Sequence, residues 1–295
     1  MSVIQVNQLC KSYGQHQVLH NIDLNVAAGK LVGFLGPNGS GKTTTIRILL
    51  GLLTADSGST QIFGKDTRKH GKMVRQNVGY LPGDVHFYPQ MTGRATLRFM
   101  ARARKTNAEA EINRLAQSLD LDLDKVVRKY STGMRQKLGL IQALMHKPDL
   151  LILDEPTSAL DPLVRKSVFR ELKDVVREGR TVLFSSHTLH EVEELCDEVV
   201  ILREGRIVEF QKIEVLRQRA LKRVEIKFAN AASPPESMPA QLQVVNRNYG
   251  QVQCTWSGDI DILLEWLRTT EVNDLTIERP DLNDLFITYY TKDGE

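Results

Sequence analysis

No apolar run of about 18 residues occurs in this chain, so no membrane-spanning helix is expected. Its opening residues, "MSVIQVNQLC", lack a basic segment followed by an apolar core, so no secretory signal is expected either. Cysteine is scarce. Cys10, Cys196 and Cys254 are odd in number and far apart, which fits free thiols in a reducing compartment rather than a disulfide framework. Neither sign of charge prevails: 39 Lys and Arg against 36 Asp and Glu leave a net +3, too small to imply a nucleic-acid partner by itself. Internal repeats are absent, and the one low-complexity stretch is Ala231–Pro239. What is present is ordinary for a soluble globular protein, 41% hydrophobic and 25% charged over 295 residues, a length that suits about two domains. A cytosolic protein is expected.

Hydrophobic patterning divides the chain. "HNIDLNV" alternates Ile22, Leu24 and Val26, the period of a half-buried strand. "KLVGFLG", "DLLILD" and "RTVLFSSH" are continuous apolar runs that read as strands buried on both faces. Helical segments lie between them, so residues 1 to about 80 and 145 to 215 read as one α/β body. The stretch from about 84 to 144 reads as a helical insert; in "TGMRQKLGLIQALMH", Met134, Leu138, Ile141 and Met145 share one helix face. "VVILREGRIVEF" reads as a hairpin turning at Glu204-Gly205. From about residue 220, short strands such as "RVEIKF" and "DLTIE" and helices "IDILLEWL" and "LNDLFITYY" predict a small α+β appendage. The expected domains are therefore 1–219 and 220–295.

Two motifs carry chemistry. "GPNGSGKT" matches G-x-x-x-x-G-K-[ST] and sits between a strand and the helical "TTTIRILLGLL". Such a loop turns backbone N–H groups onto phosphate oxygens, and the helix adds its positive end. Lys42 can reach the β- and γ-phosphates, and the Thr43 hydroxyl can ligate Mg²⁺. In "LLILDEPT" a buried strand runs into two adjacent acids, Asp154 and Glu155. Burying charge is costly without compensation, and a metal-nucleotide site supplies it. Asp154 can hold Mg²⁺, and Glu155 can polarise an attacking water as general base.

These motifs, with several others in one order, resemble the nucleotide-binding subunits of ATP-binding cassette (ABC) transporters over about residues 3–215. The loop residues Gly36, Pro37, Asn38, Gly39, Ser40, Gly41, Lys42, Thr43 and Thr44 are similar to that family's phosphate loop. "YSTGMRQK" resembles its signature, usually Leu-Ser-Gly-Gly-Gln; Ser131 and Gly133 match, while Tyr130, Thr132 and Met134 depart from it. "SALD" resembles the D-loop, His187 the switch histidine, and Tyr13 the aromatic that stacks on adenine. Taken alone, Tyr13 beside Gly14 reads equally as a turn residue, and Ser131 as a plain helix N-cap.

The resemblance implies a P-loop NTPase fold of the ABC ATPase type. It implies ATP and Mg²⁺ as cofactors, a homodimer or pseudo-dimer in which each Ser131–Gly133 segment meets the other copy's γ-phosphate, and a separate membrane permease. The expected location is the cytoplasmic face of the membrane, and the wording of the motifs is closer to exporters than importers. The alternative is a soluble ABC-type ATPase acting on a ribosome, DNA or a protein complex. Such relatives tend to carry tandem cassettes, long coiled coils or zinc-finger insertions, none of which is visible. One departure stands out: in "VGYLPGD", Gly83 occupies the place of the family's glutamine near Mg²⁺, and Asp84 or a water is expected to fill the gap. "RATLRFMARARK" carries five basic residues and no acid, read as a solvated face or as an attraction to anionic lipid. The tail resembles the accessory region of some exporter ATPases, best at "RPDLNDLF".

Overall fold

The computed structural model describes residues 2–219, 221–229, 238–248 and 250–278. The helix expected over "LNDLFITYY", the whole stretch "RPDLNDLF", and all but the end of Ala231–Pro239 lie outside the described residues. The chain divides into two compact units, Met1–Lys212 and Ile213–Glu295.

The first unit runs β1 (Ser2–Tyr13), β2 (His16–Ala27), β3 (Leu31–Leu35), α1 (Lys42–Leu49), β4 (Ser57–Ile62), β5 (Lys65–Asp66), α2 (Thr67–Gln76) and β6 (Val78–Leu81). It continues with α3 (Gly93–Ala103), α4 (Glu109–Ser118), α5 (Thr132–Leu144), β7 (Leu150–Asp154), α6 (Pro162–Arg177), β8 (Thr181–Ser186), α7 (Leu189–Leu195), β9 (Glu198–Arg203) and β10 (Arg206–Lys212). The three continuous apolar runs are central strands, and every residue of β3, β7 and β8 is buried. They lie in a six-stranded sheet ordered β10-β9-β3-β8-β7-β6, parallel except for β10, which closes the β9–β10 hairpin.

The expected single α/β body contains a second sheet that the patterning does not separate from the first. It is antiparallel, ordered β2-β1-β4-β5. In β2, Ile22, Leu24 and Val26 point inward and alternate with exposed residues, so the half-buried reading holds. Both sheets share one core: Ile4, Leu9, Leu19 and Ile22 pack in the same cluster as Phe34, Ile46, Ile152 and Leu183.

The insert between β6 and β7 is helical, as its period predicts. Thr92 caps α3 by accepting from Ala95 N at 3.1 Å, and Ser131 caps α5 by accepting from Met134 N at 3.2 Å. Arg114 of α4 donates twice to the buried Glu171 carboxylate of α6, at 3.0 and 2.7 Å, tying the insert to the core. The basic run on α3 is not a face of unpaired charge. Arg94 pairs with Asp124, Arg98 binds Glu109 through two hydrogen bonds, and Arg104 turns inward to the carbonyls of Arg75, Gln76 and Val78. The acids, Glu109 and Asp124, and the carbonyls all lie outside the basic run, so the lipid-attraction expectation loses three of its five cations.

The second unit contains α8 (Ile213–Arg219), β11 (Lys222–Phe228), β12 (Leu242–Asn248), β13 (Gln251–Trp256), α9 (Ile260–Arg268) and β14 (Val272–Ile277). Its antiparallel sheet is ordered β12-β13-β11-β14. Val224, Ile226 and Trp256 on the sheet and Leu263 on α9 form its own core, an α+β arrangement.

Candidate functional site

Strand order creates the site. β3, β8 and β7 are adjacent and parallel, with Leu35 paired to Ser186 and Asp154 to Ser185. Their carboxyl ends therefore release three segments side by side: the glycine-rich loop, the Asp154–Glu155 pair and His187. That edge of an open parallel sheet is where ligands bind in such folds.

The loop closes tightly onto the sheet. A Cβ at Gly36 would stand 2.3 Å from the Leu202 carbonyl oxygen and 2.5 Å from Ser40 Oγ, so only glycine fits. Gly41 precedes α1, whose first residues are Lys42 and Thr43. The loop from Pro37 to Thr44, together with Tyr13 and Glu155, lines an open cavity of about 370 Å³. His16 and Val18 join that lining, which the sequence did not signal. Tyr13 is 49% exposed at the end of β1, just before the Gly14–Gln15 turn, with Lys11 Nζ 5.6 Å from its ring centroid. Tyr13 thus precedes a turn and lines the cavity, with Lys11 over its ring.

Beneath the loop, charges interlock. Thr43 Oγ1 donates to Asp154 Oδ2 at 2.7 Å, and Ser185 Oγ donates to Asp154 Oδ1 at 2.6 Å. Asp154 is 1% exposed. Lys42 Nζ donates to the carbonyls of Gly36 and Pro37 at 2.6 and 3.2 Å and stands 3.6 Å from Glu155 Oε1. Burial pushes the Lys42 pKa below its ordinary value, while the nearby Glu155 and Asp154 carboxylates oppose that shift. His187 Nδ1 lies 2.6 Å from Glu155 Oε2. Glu155 itself is held at φ 51°, a left-handed conformation unusual outside glycine. Ser40 Oγ is buried with no hydrogen-bond partner among the described residues.

This donor set fits a magnesium nucleotide. The loop offers N–H groups, an ammonium and an orphaned hydroxyl for phosphates. The Thr43–Asp154 pair offers two hard oxygens, the sparse protein contribution that Mg²⁺ takes when phosphates and water complete its sphere. Among the described residues no group of three or more His, Cys, Asp or Glu converges as an independent metal site. Ser185, which fixes both Asp154 and the Glu155 N–H (3.0 Å), carried no expected role. Its signal was the pair of serines closing an otherwise apolar strand.

Ser131 and Gly133 lie outside this cavity, at the start of α5 on the insert. Tyr130, where the signature usually has leucine, is buried, and its hydroxyl donates to the Asp122 carbonyl at 2.6 Å. A Cβ at Gly83 would stand 3.6 Å from Asp154 Oδ2, so the position does face the acid. Asp84 does not fill it: its side chain is 86% exposed and pairs with His86 Nε2 at 2.8 Å. That part of the expectation is corrected: the chain bends at Gly83–Asp84 after β6 has ended, and the Asp84 carboxylate is turned to solvent and His86.

Comparison with known proteins places these features in a family. The model of a family described as "ABC transporter" matches residues 19–158. An uncharacterized ABC transporter ATP-binding protein of Bacillus subtilis, YdbJ, is 39% identical over 99% of this chain and 93% of its own length. The bacitracin transport ATP-binding protein BcrA of Bacillus licheniformis is 38% identical over 78% of this chain and 76% of its own. A solved structure of an ATP-binding subunit of an ABC transporter matches with a TM-score of 0.68 at 30% identity, covering 73% of this chain and 92% of that one.

Proposed function

The chain belongs to the ABC transporter family, among its ATP-binding proteins, and from that premise we propose that it powers export through a separate membrane permease by binding and hydrolysing Mg-ATP between two copies of itself. No helix among the described residues is long and apolar enough to cross a membrane, so the pore belongs to a partner. We place the protein on the cytoplasmic face of that membrane. The export direction follows the wording of the motifs and a relative named for Nod factor export. The second unit serves as an accessory domain.

The observation that carries this reading is the convergence of Lys42, Thr43, Asp154, Glu155 and His187 at the ends of three adjacent strands. The loop residues 36–44 wrap the phosphates, and Tyr13 stacks on the base. Thr43 and Asp154 hold Mg²⁺, which when bound neutralises phosphate charge. Lys42 exchanges its carbonyl and Glu155 contacts for phosphate oxygens, whose negative charge compensates the burial that depresses its pKa. Glu155, released from Lys42, takes a proton from the attacking water. His187, now on Glu155, turns a nitrogen to the γ-phosphate. Ser131 and Gly133 present the start of α5 to the other copy's nucleotide, so ATP joins two copies and hydrolysis parts them.

Glu155→Gln tests this. The variant is expected to bind ATP and form an ATP-dependent dimer on size-exclusion chromatography, while hydrolysis falls by roughly 10²-fold or more. Hydrolysis at the native rate would remove Glu155 from the role of base.

A further inference from the structure

Gln136 is a buried polar side chain that the mechanism above does not use. It lies on α5, 4% exposed, and its Nε2 donates to the backbone carbonyl of Glu155 at 3.2 Å. The backbone of Glu155 is held from other directions as well. Ser158 Oγ donates to that carbonyl at 3.1 Å, Ser158 N at 3.4 Å, and Ser185 Oγ accepts from Glu155 N at 3.0 Å. Glu155 needs such restraint, because φ 51° is a conformation a non-glycine residue keeps only when its surroundings over-determine it. α5 is also seated on the following loop, where a Cβ at Gly133 would stand 2.8 Å from the Ala159 carbonyl oxygen.

We propose that Gln136 is a positioning residue for hydrolysis: from α5 it holds the strained Glu155 peptide so that the carboxylate faces the nucleotide cavity. The direction of a Cα–Cβ bond follows the backbone dihedrals. Relaxation of Glu155 to an extended conformation would swing its carboxylate away from Lys42 and His187, which it now meets at 3.6 and 2.6 Å. A misplacement of about 1 Å costs a catalytic group up to ~10²-fold in rate. The inference rests on Glu155 as the base. It adds a consequence: the helix whose first turn serves one nucleotide also aims the base at the other, so a shift of α5 at one site is felt at its neighbour.

The test uses the full chain and two backgrounds. Gln136→Leu keeps much of the buried volume and removes the donor. In the native background it is expected to lower single-turnover hydrolysis by ~10- to 10²-fold, with affinity for a fluorescent ATP analogue unchanged. In the Glu155→Gln background it is expected to change the residual rate not at all, since nothing is left to aim. An equal loss in both backgrounds, a loss of nucleotide affinity, or no loss in the native one would overturn the proposal. If Gln136→Leu does not fold, Ser158→Ala takes its place, because it removes the other side-chain donor to the same carbonyl from an exposed position. It is judged by the same outcomes. Failure of the base assignment reads differently: Glu155→Gln alone would then hydrolyse at the native rate.

Discussion

Gly133→Ala sets stability against activity. The added Cβ would meet the Ala159 carbonyl oxygen at 2.8 Å, where ordinary contact begins near 3.4 Å, so α5 and the loop must part by about 0.6 Å. The listener to that shift is the Gln136–Glu155 hydrogen bond. Now 3.2 Å, it would stretch to about 3.8 Å, outside hydrogen-bond range. Overpacking costs about 1–3 kcal/mol, and alanine in place of glycine in a helix returns up to about 1 kcal/mol. The net loss of stability is therefore about 1 kcal/mol, a small part of a domain's total. Activity has no such offset, and hydrolysis is expected to fall by ~10²-fold. Urea denaturation gives the first quantity and single-turnover hydrolysis the second. A variant that hydrolyses ATP within about twofold of the native rate would refute the reasoning that the seat of α5 governs Glu155.

Lys42→Ala removes the ammonium that bridges the loop carbonyls and Glu155, and tight ATP binding is expected to disappear in an equilibrium titration. Asp84→Ala is expected to leave both hydrolysis rate and Mg²⁺ dependence unchanged, because the Asp84 carboxylate faces solvent and His86; a shift in the Mg²⁺ titration would return it to the site. His146 is held neutral to about pH 4 by burial and then by the Arg104 and Arg180 guanidiniums around it. The unfolded chain takes up that proton near pH 6.5, so this contribution is complete above about 6.5 and is lost as pH falls toward 4. Its ceiling is about 3 kcal/mol before solvent screening reduces it. Unfolding free energy measured from pH 7 to 4 should fall, and His146→Leu should flatten the fall.

Much of the fold was legible because its central elements speak through simple periods. β3, β7 and β8 are uninterrupted apolar runs, and only strands buried on both faces need them. The phosphate loop was legible because its glycines answer a local demand, such as the left-handed turn at Gly41 (φ 105°) that leads directly into α1. The antiparallel sheet escaped because β1 and β4 are separated in sequence by more than forty residues, and pairing at that range leaves no mark in either segment. β13 escaped for a similar reason: "QVQCTW" is short and polar on one face, and its strand character comes from partners on both sides. Ser185, Gln136 and the acids that pair with α3 were invisible because each acts on a residue brought near only by folding. Asp84 misled because adjacency in sequence does not fix where a side chain points once the strand has ended, and the bend at Gly83–Asp84 turns its carboxylate to His86 and solvent.

Whether this ATPase drives a membrane partner can be read from co-purification. Glu155→Gln protein, loaded with ATP, is used to capture partners from detergent-solubilised native membranes. A multi-span membrane protein is expected in the captured material. Recovery only of soluble or ribosomal proteins, with nothing from the membrane fraction, would contradict that expectation.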